Sequence, residues 1–147
     1  MHVRIVVAGK PALAFARLGV EEYLGRLRHY GKHELVTVKA GPAAEVSPRL
    51  LDASAGCWRV VLDERGETLA TLALAERMAA LEGRGEVKTV AFLIGAADGH
   101  TAELRTRADL LLALSALTLQ HELALVVLLE QLYRVATLRR GEPYHRP

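Results

Sequence analysis

VKTVAFLIGAADGH, residues 87–100, decides how this chain is read. Val90 to Ile94 is apolar at every position. A strand with one wet face alternates, whereas a strand covered on both faces does not. The run therefore belongs inside a parallel sheet sandwiched by helices. It stops at Gly95, and Gly99 closes a short loop whose glycines permit positive φ and close backbone approach by a ligand.

Working outward, strand and helix patterns alternate. HVRIVVAG (2–9) is a β-branched run. Pro11 opens a helical stretch that Gly31 stops. HELVTVKA (33–40) alternates and ends at Gly41-Pro42. SPRLLDASAG (47–56) predicts a short helix, with Ser47 as N-cap and Pro48 at the first position. CWRVVLDE (57–64) is a strand, ERG (64–66) a turn, and ETLATLALAERMAALEGRG (67–85) a helix with glycine past its end. After the central strand come the loop AADG (96–99), a helix TAELRTRA (101–108), a strand DLLLALS (109–115), a loop ALTLQ (116–120) and a long helix from His121 to Arg139. Five strands interleaved with five helices predict an α/β layer fold in one domain, residues 1–147. Leu123 to Leu129 is apolar seven times in a row, so the last helix has no wet face. A homodimer that buries it between subunits satisfies that pattern; a central helix in a monomer is the other solution.

Composition excludes several classes. The chain is 51% hydrophobic and 24% charged, which rules out disorder. The net charge of +2 does not mark a strong binder of naked nucleic acid, although arginine outnumbers lysine fifteen to four. The single cysteine, Cys57, allows no intrachain disulfide and makes a poor metal site, so it and Trp58 are expected in the core. The start reads straight into a strand, with no signal-peptide pattern. No window gives the roughly 20 uninterrupted apolar residues of a membrane span. The expectation is a cytoplasmic protein without metal.

Ligands of open α/β sheets bind beyond the carboxyl ends of the strands. A dinucleotide site would place G-x-G-x-x-G after the first strand, but VAGKPALA (7–14) has one glycine. The acid that would hold ribose at the end of the second strand is replaced by Lys39-Ala40-Gly41. The candidate segments are instead LDERGET (62–68), the loop Gly95 to Gly99, and SALTLQH (115–121). Thr118 either N-caps the last helix or faces a ligand, and both readings stand. His121 and Glu130, nine residues apart, fall on opposite helix faces and do not pair. Glu130 and Arg134 are i, i+4 and share a face. His2, His29, His33 and His100 are expected at the surface or in turns, His100 beside the glycine loop.

FLIGAADG (92–99), LSALTLQH (114–121), EQLYR (130–134) and the terminal PYHR (143–146), in this order and with VRIVVAGK and VVLDERGET before them, resemble the bacterial large-subunit (23S) rRNA pseudouridine-N3 methyltransferases. These belong to the SPOUT superfamily. The resemblance spans nearly the whole chain. It implies a five-to-six-stranded, mostly parallel sheet whose C-terminal half is tied in a deep trefoil knot, a rare exception to unknotted chains. It implies a homodimer, S-adenosylmethionine as cofactor, and N3 of a pseudouridine in a ribosomal stem-loop as acceptor. By position, the cofactor segments are Leu62, Gly95, Ala96, Gly99, Ser115, Ala116, Leu117, Thr118, Leu119 and Gln120. The catalytic candidates are His145 as base, Arg146 and Tyr144 on the substrate side, and Arg134 ordering the tail. A dimer modifying another RNA, or a non-catalytic ribosome-binding relative, are the competing readings.

Three departures from the family pattern stand out. The loop reads Gly95-Ala96-Ala97-Asp98-Gly99 where a second glycine is usual, and positive φ at Ala96 would cost about 1 kcal/mol or more. Leu125 stands where an arginine is usual. The segment 41–56 is short and poor in lysine, which lowers electrostatic affinity for RNA.

Overall fold

The computed structural model describes residues 1–147. Its elements are β1 (His2–Ala8), α1 (Ala14–Leu27), a 3-10 turn (Arg28–Tyr30), β2 (His33–Val38), α2 (Ala43–Ala53), β3 (Trp58–Thr68), α3 (Thr71–Arg84), β4 (Thr89–Ile94), α4 (Ala102–Thr106), β5 (Leu110–Ala113) and α5 (His121–Arg139). The five strands form one sheet in the order β2-β1-β4-β3-β5, and every pairing is parallel.

Strand periodicity builds two cores. Val3, Ile5 and Val7 of β1 and Val90, Phe92 and Ile94 of β4 face α1, α3 and α5. Val6, Ala8, Ala91 and Leu93 face Val46 and Leu50 of α2 and Leu104 of α4. β4 is buried on both sides, as its apolar run predicts, and Phe92 is fully enclosed. Truncating such a phenylalanine to alanine typically costs about 3–5 kcal/mol.

Several local expectations are corrected. α2 begins at Ala43, so Ser47 is no N-cap and Pro48 lies within the helix. The missing Pro48 N–H removes an intrahelical bond. Ties from another segment offset it: the Asp98 carboxylate accepts the Ala43 N–H at 2.9 Å, and the buried Ser47 hydroxyl accepts the Thr101 N–H at 3.1 Å. The segment 64–66 is no simple turn, because β3 runs through it with a register shift. Leu112 of β5 pairs with both Leu62 and Glu67, so residues 63–66 form an excursion beside β5. Gly66 makes the close approach possible; a Cβ there would lie 2.6 Å from the Leu112 amide nitrogen. Cys57 and Trp58 are only half-buried.

α5 is not buried all round within one chain. Leu125, Leu128, Leu129, Leu132 and Val135 face the sheet, while Leu123 is exposed. α1 packs closely beside α5, with Gly19 against Val126. Phe15 and Leu18 of α1 remain exposed, Leu18 by 68%. No helix is long and apolar enough to cross a membrane.

Candidate functional site

The carboxyl ends of β3, β4 and β5 converge on a cleft of about 450 Å³. Its apolar floor includes Ile94, Leu112 and Leu114. Its rims come from residues 62–65, 95–100 and 114–121. Of the ten cofactor candidates, Leu62, Gly95, Ala96, Gly99, Ser115, Leu117, Thr118 and Leu119 line it, whereas Ala116 and Gln120 do not.

Each rim has a local reason for its shape. Gly99 takes φ +78°, and no non-glycine residue in the chain has positive φ, so Ala96 and Ala97 carry no such strain. Asp98 turns its carboxylate to the start of α2. Thr101 then caps α4 by accepting the Leu104 N–H. In the third rim, the Ser115 hydroxyl accepts the Leu117 N–H at 3.0 Å, a side-chain-closed turn that leaves Leu117 75% exposed at the lip. Thr118 does not cap α5. Its hydroxyl donates to Glu64 at 2.9 Å across the cleft, and Gln120 caps the helix by accepting from the N–H groups of Glu122 and Leu123. The longer Gln side chain, nearer the helix, takes the role expected of Thr118.

Three polar residues at the cleft were given no individual role by the sequence: Asp63 within the candidate segment 62–68, His100 beside the glycine loop, and Arg105. Asp63 is nearly enclosed and lies 3.9 Å from Arg105 and 3.7 Å from Arg65. Arg105 also donates to the His100 carbonyl at 2.6 Å. His100 is no surface residue: it is 9% exposed, and its Nε2 lies 2.9 Å from the Leu62 carbonyl. Burial lowers its pKa from the usual imidazole value, partly offset by the bond to Leu62 and by Asp63, while Arg105 adds to the lowering. The position of His100 just after Gly99 was the available signal.

The tail residues lie elsewhere. Gly141 takes φ +70°, and α5 ends in a Schellman turn, with the Gly141 N–H on the Leu138 carbonyl and the Glu142 N–H on the Thr137 carbonyl. The chain thereby folds back along α5. Tyr144 packs edge-on against Tyr133 at 4.6 Å between ring centroids. Arg134 is clamped by both oxygens of Glu130, at 2.6 and 3.0 Å, and lies over the Tyr144 ring at 4.9 Å. Its Nη1 lies 3.2 Å from Nδ1 of His145. The Tyr30 hydroxyl donates to Glu142, which pushes its pKa up to about 12. Arg146 is exposed. The structure thus brings Arg134, Tyr144 and His145 together. None of the four catalytic candidates lines the cleft. His121 lines it and Arg134 holds the tail, so the thirteen positions from one to the other separate the two places by about 20 Å along the helix.

Comparison with known proteins follows the same full-length pattern. The family model described as "Predicted SPOUT methyltransferase" matches residues 1–145. The chain is similar to Ribosomal RNA large subunit methyltransferase H of Thermus thermophilus, 55% identical over 147 residues and 100% of both chains. It is 44% identical to the protein of that name from Deinococcus deserti, over 99% of this chain and 100% of the relative. Among solved structures, the tRNA (m1G37) methyltransferase of Aquifex aeolicus shares the fold, with a TM-score of 0.61 at 14% identity over 99% of this chain and 76% of that one. A parallel five-stranded sheet, a cleft walled by the ends of β3, β4 and β5, and this correspondence along the whole length agree: the chain belongs to the SPOUT methyltransferase family.

Proposed function

We propose that the protein is a homodimeric enzyme of the cytoplasm that transfers a methyl group from S-adenosylmethionine to N3 of a pseudouridine in 23S rRNA, on the assembled ribosome. The observation that carries this reading is the full-length correspondence with relatives named as ribosomal RNA large subunit methyltransferases.

The cleft fits the cofactor. Its volume is within the range of roughly 300–1,000 Å³ usual for small-ligand pockets. The floor of Ile94, Leu112 and Leu114 suits a flat aromatic base, and Gly95 and Gly99 put no side chain in its way. Bound there, S-adenosylmethionine supplies an already activated methyl group.

The chain's own residues then have two tasks, alignment and management of the N3 proton. Arginine only donates, so the contact with Arg134 makes Nδ1 of His145 an acceptor and places the ring proton on Nε2. His145 accordingly offers an N–H rather than a lone pair. Donated to a carbonyl oxygen flanking N3, that N–H would stabilise the charge that develops as the N3 proton passes to solvent water and N3 takes the methyl from the sulfonium, whose sulfur–methyl bond breaks. The role foreseen for His145 as base requires Arg134 to release Nδ1 first. Tyr144 and Arg146 form the substrate side of this wall, suited to base stacking and to phosphate.

A tail about 20 Å along α5 from the cleft of its own chain calls for a second subunit. The exposed Phe15, Leu18 and Leu123 on the paired helices α1 and α5 supply an apolar face for it, and a site shared between protomers follows. Family membership implies a C-terminal trefoil knot, and the pairing of Leu112 with both Leu62 and Glu67 around the 63–66 excursion is consistent with it.

The test uses ribosomes whose target uridine has or has not been isomerised. Methyl transfer only to the isomerised particles, located at N3 by mass spectrometry, is the expected result. Equal transfer to both, or to neither, overturns the reading.

A further inference from the structure

The Nδ1 atom of His100 is buried without any hydrogen-bond partner. His100 is also the side chain wedged between two rims of the cleft. On one side it meets the Leu62 carbonyl through Nε2. A carbonyl can only accept, so Nε2 carries the proton and Nδ1 is bare. On the other side lies Gly95, where an added Cβ would sit 2.9 Å from both Nδ1 and Cε1 of the ring and 3.0 Å from the Gly99 carbonyl oxygen. Gly95 does not have positive φ, so its backbone does not require glycine. The space taken by the imidazole, with the Gly99 carbonyl beside it, does.

From this we infer that His100 is a positioning residue of the cofactor cleft: a neutral imidazole that fixes the separation of the 62–65 and 95–99 rims and makes glycine obligatory at position 95. It acts through the Leu62 carbonyl and the Gly95 backbone, not by touching the reacting atoms. The Arg105 bond to its own carbonyl holds the ring's backbone in place, and Asp63 holds Arg105. The inference rests on the cleft being the S-adenosylmethionine site.

Calorimetric titration with S-adenosylmethionine tests it on wild type, His100→Leu, His100→Gln, Gly95→Ala and the double variant Gly95→Ala/His100→Ala, with thermal melts to verify folding. Loss of the Leu62 bond in H100L should weaken binding about tenfold. H100Q places an amide N–H where Nε2–H stood and should bind within about threefold of wild type. G95A should weaken binding at least as much as H100L, and the double variant should bind more tightly than G95A alone, because the ring that opposed the new Cβ is gone. In methyl transfer, H100L should raise the KM for the cofactor while kcat at saturation changes little. Wild-type binding with H100L unaffected overturns the inference alone. So does a G95A penalty that is the same with or without the imidazole, a measurement that holds even where H100L does not fold. Failure of the wild type to bind overturns the cofactor reading and this one together.

Discussion

Arg134 holds His145 by its Nδ1 at 3.2 Å while Glu130 grips the same guanidinium with both carboxylate oxygens. The three side chains form a relay from the body of α5 to the last residues of the chain. Its direction is fixed by chemistry, since arginine can only give protons to its neighbours. The tail imidazole therefore presents Nε2–H outward.

That orientation separates two variants of one residue. His145→Ala should lower kcat about 100-fold or more, the usual cost of losing one donor to a developing negative charge. His145→Gln, which restores a donor at the Nε2 position, should keep a substantial part of the activity. If the imidazole serves instead as a base, Gln fails as badly as Ala. Single-turnover methyl transfer on ribosomes decides between them.

Removing residues 144–147 should leave cofactor binding largely intact and abolish methyl transfer. The cleft lies at the other end of α5 and takes no residue from the tail. Calorimetry and a transfer assay on the truncated chain check this, and loss of both would contradict the separation.

Leu18→Glu places a charge on an apolar surface that is 68% exposed in one chain. In an isolated monomer this is nearly silent. In the proposed dimer it should dissociate the subunits and eliminate transfer, with the fold retained. Sedimentation velocity with circular dichroism reads both.

Gly66→Ala forces a Cβ into the backbone of Leu111 and Leu112. Backbone cannot step aside as a side-chain tip can, so a loss of about 2–3 kcal/mol is expected, a fall in Tm of roughly 5–10 °C. A melt unchanged from wild type would show that the 63–66 excursion moves freely.

Burial holds the His100 pKa below the usual 6.5, with Asp63 and Arg105 the charged groups facing it. In the unfolded chain the imidazole takes up a proton as pH falls through its ordinary range, whereas the folded chain resists. The unfolded state then binds more protons, and stability declines as pH drops below about 6.5. His33, also lowered by burial, adds to the same slope. The Tm difference between pH 7.5 and 5 should therefore be smaller in H100Q than in wild type.

The sheet was legible because Val90 to Ile94 and the β-branched runs state their burial outright. The bounds of α5 were legible for the same reason, with Arg139 and Gly141 marking its end. What escaped depended on contacts between distant segments. α2 starts four residues before Ser47 because Asp98, more than fifty positions away, satisfies its first N–H. β3 continues through Glu64-Arg65-Gly66 because β5 comes back to pair with both sides of it. The three segments that line the cleft could be named from the ends of the strands, and eight of its residues from the family resemblance. The position of His100 beside the glycine loop was legible, but its wedging was not, since that depends on the Leu62 carbonyl thirty-eight positions away.

The double pairing of Leu112 also orders events in time. β5 and the loop behind it are the last of the three rims to be synthesised, and they must settle against a β3 excursion laid down some fifty residues earlier. Such distant pairing is slow to find. A nascent chain that ends at α4 has two of the rims and no third wall. The protein thus acquires its cleft only when translation is nearly complete, and under the proposed function an unfinished copy has no means to divert cofactor.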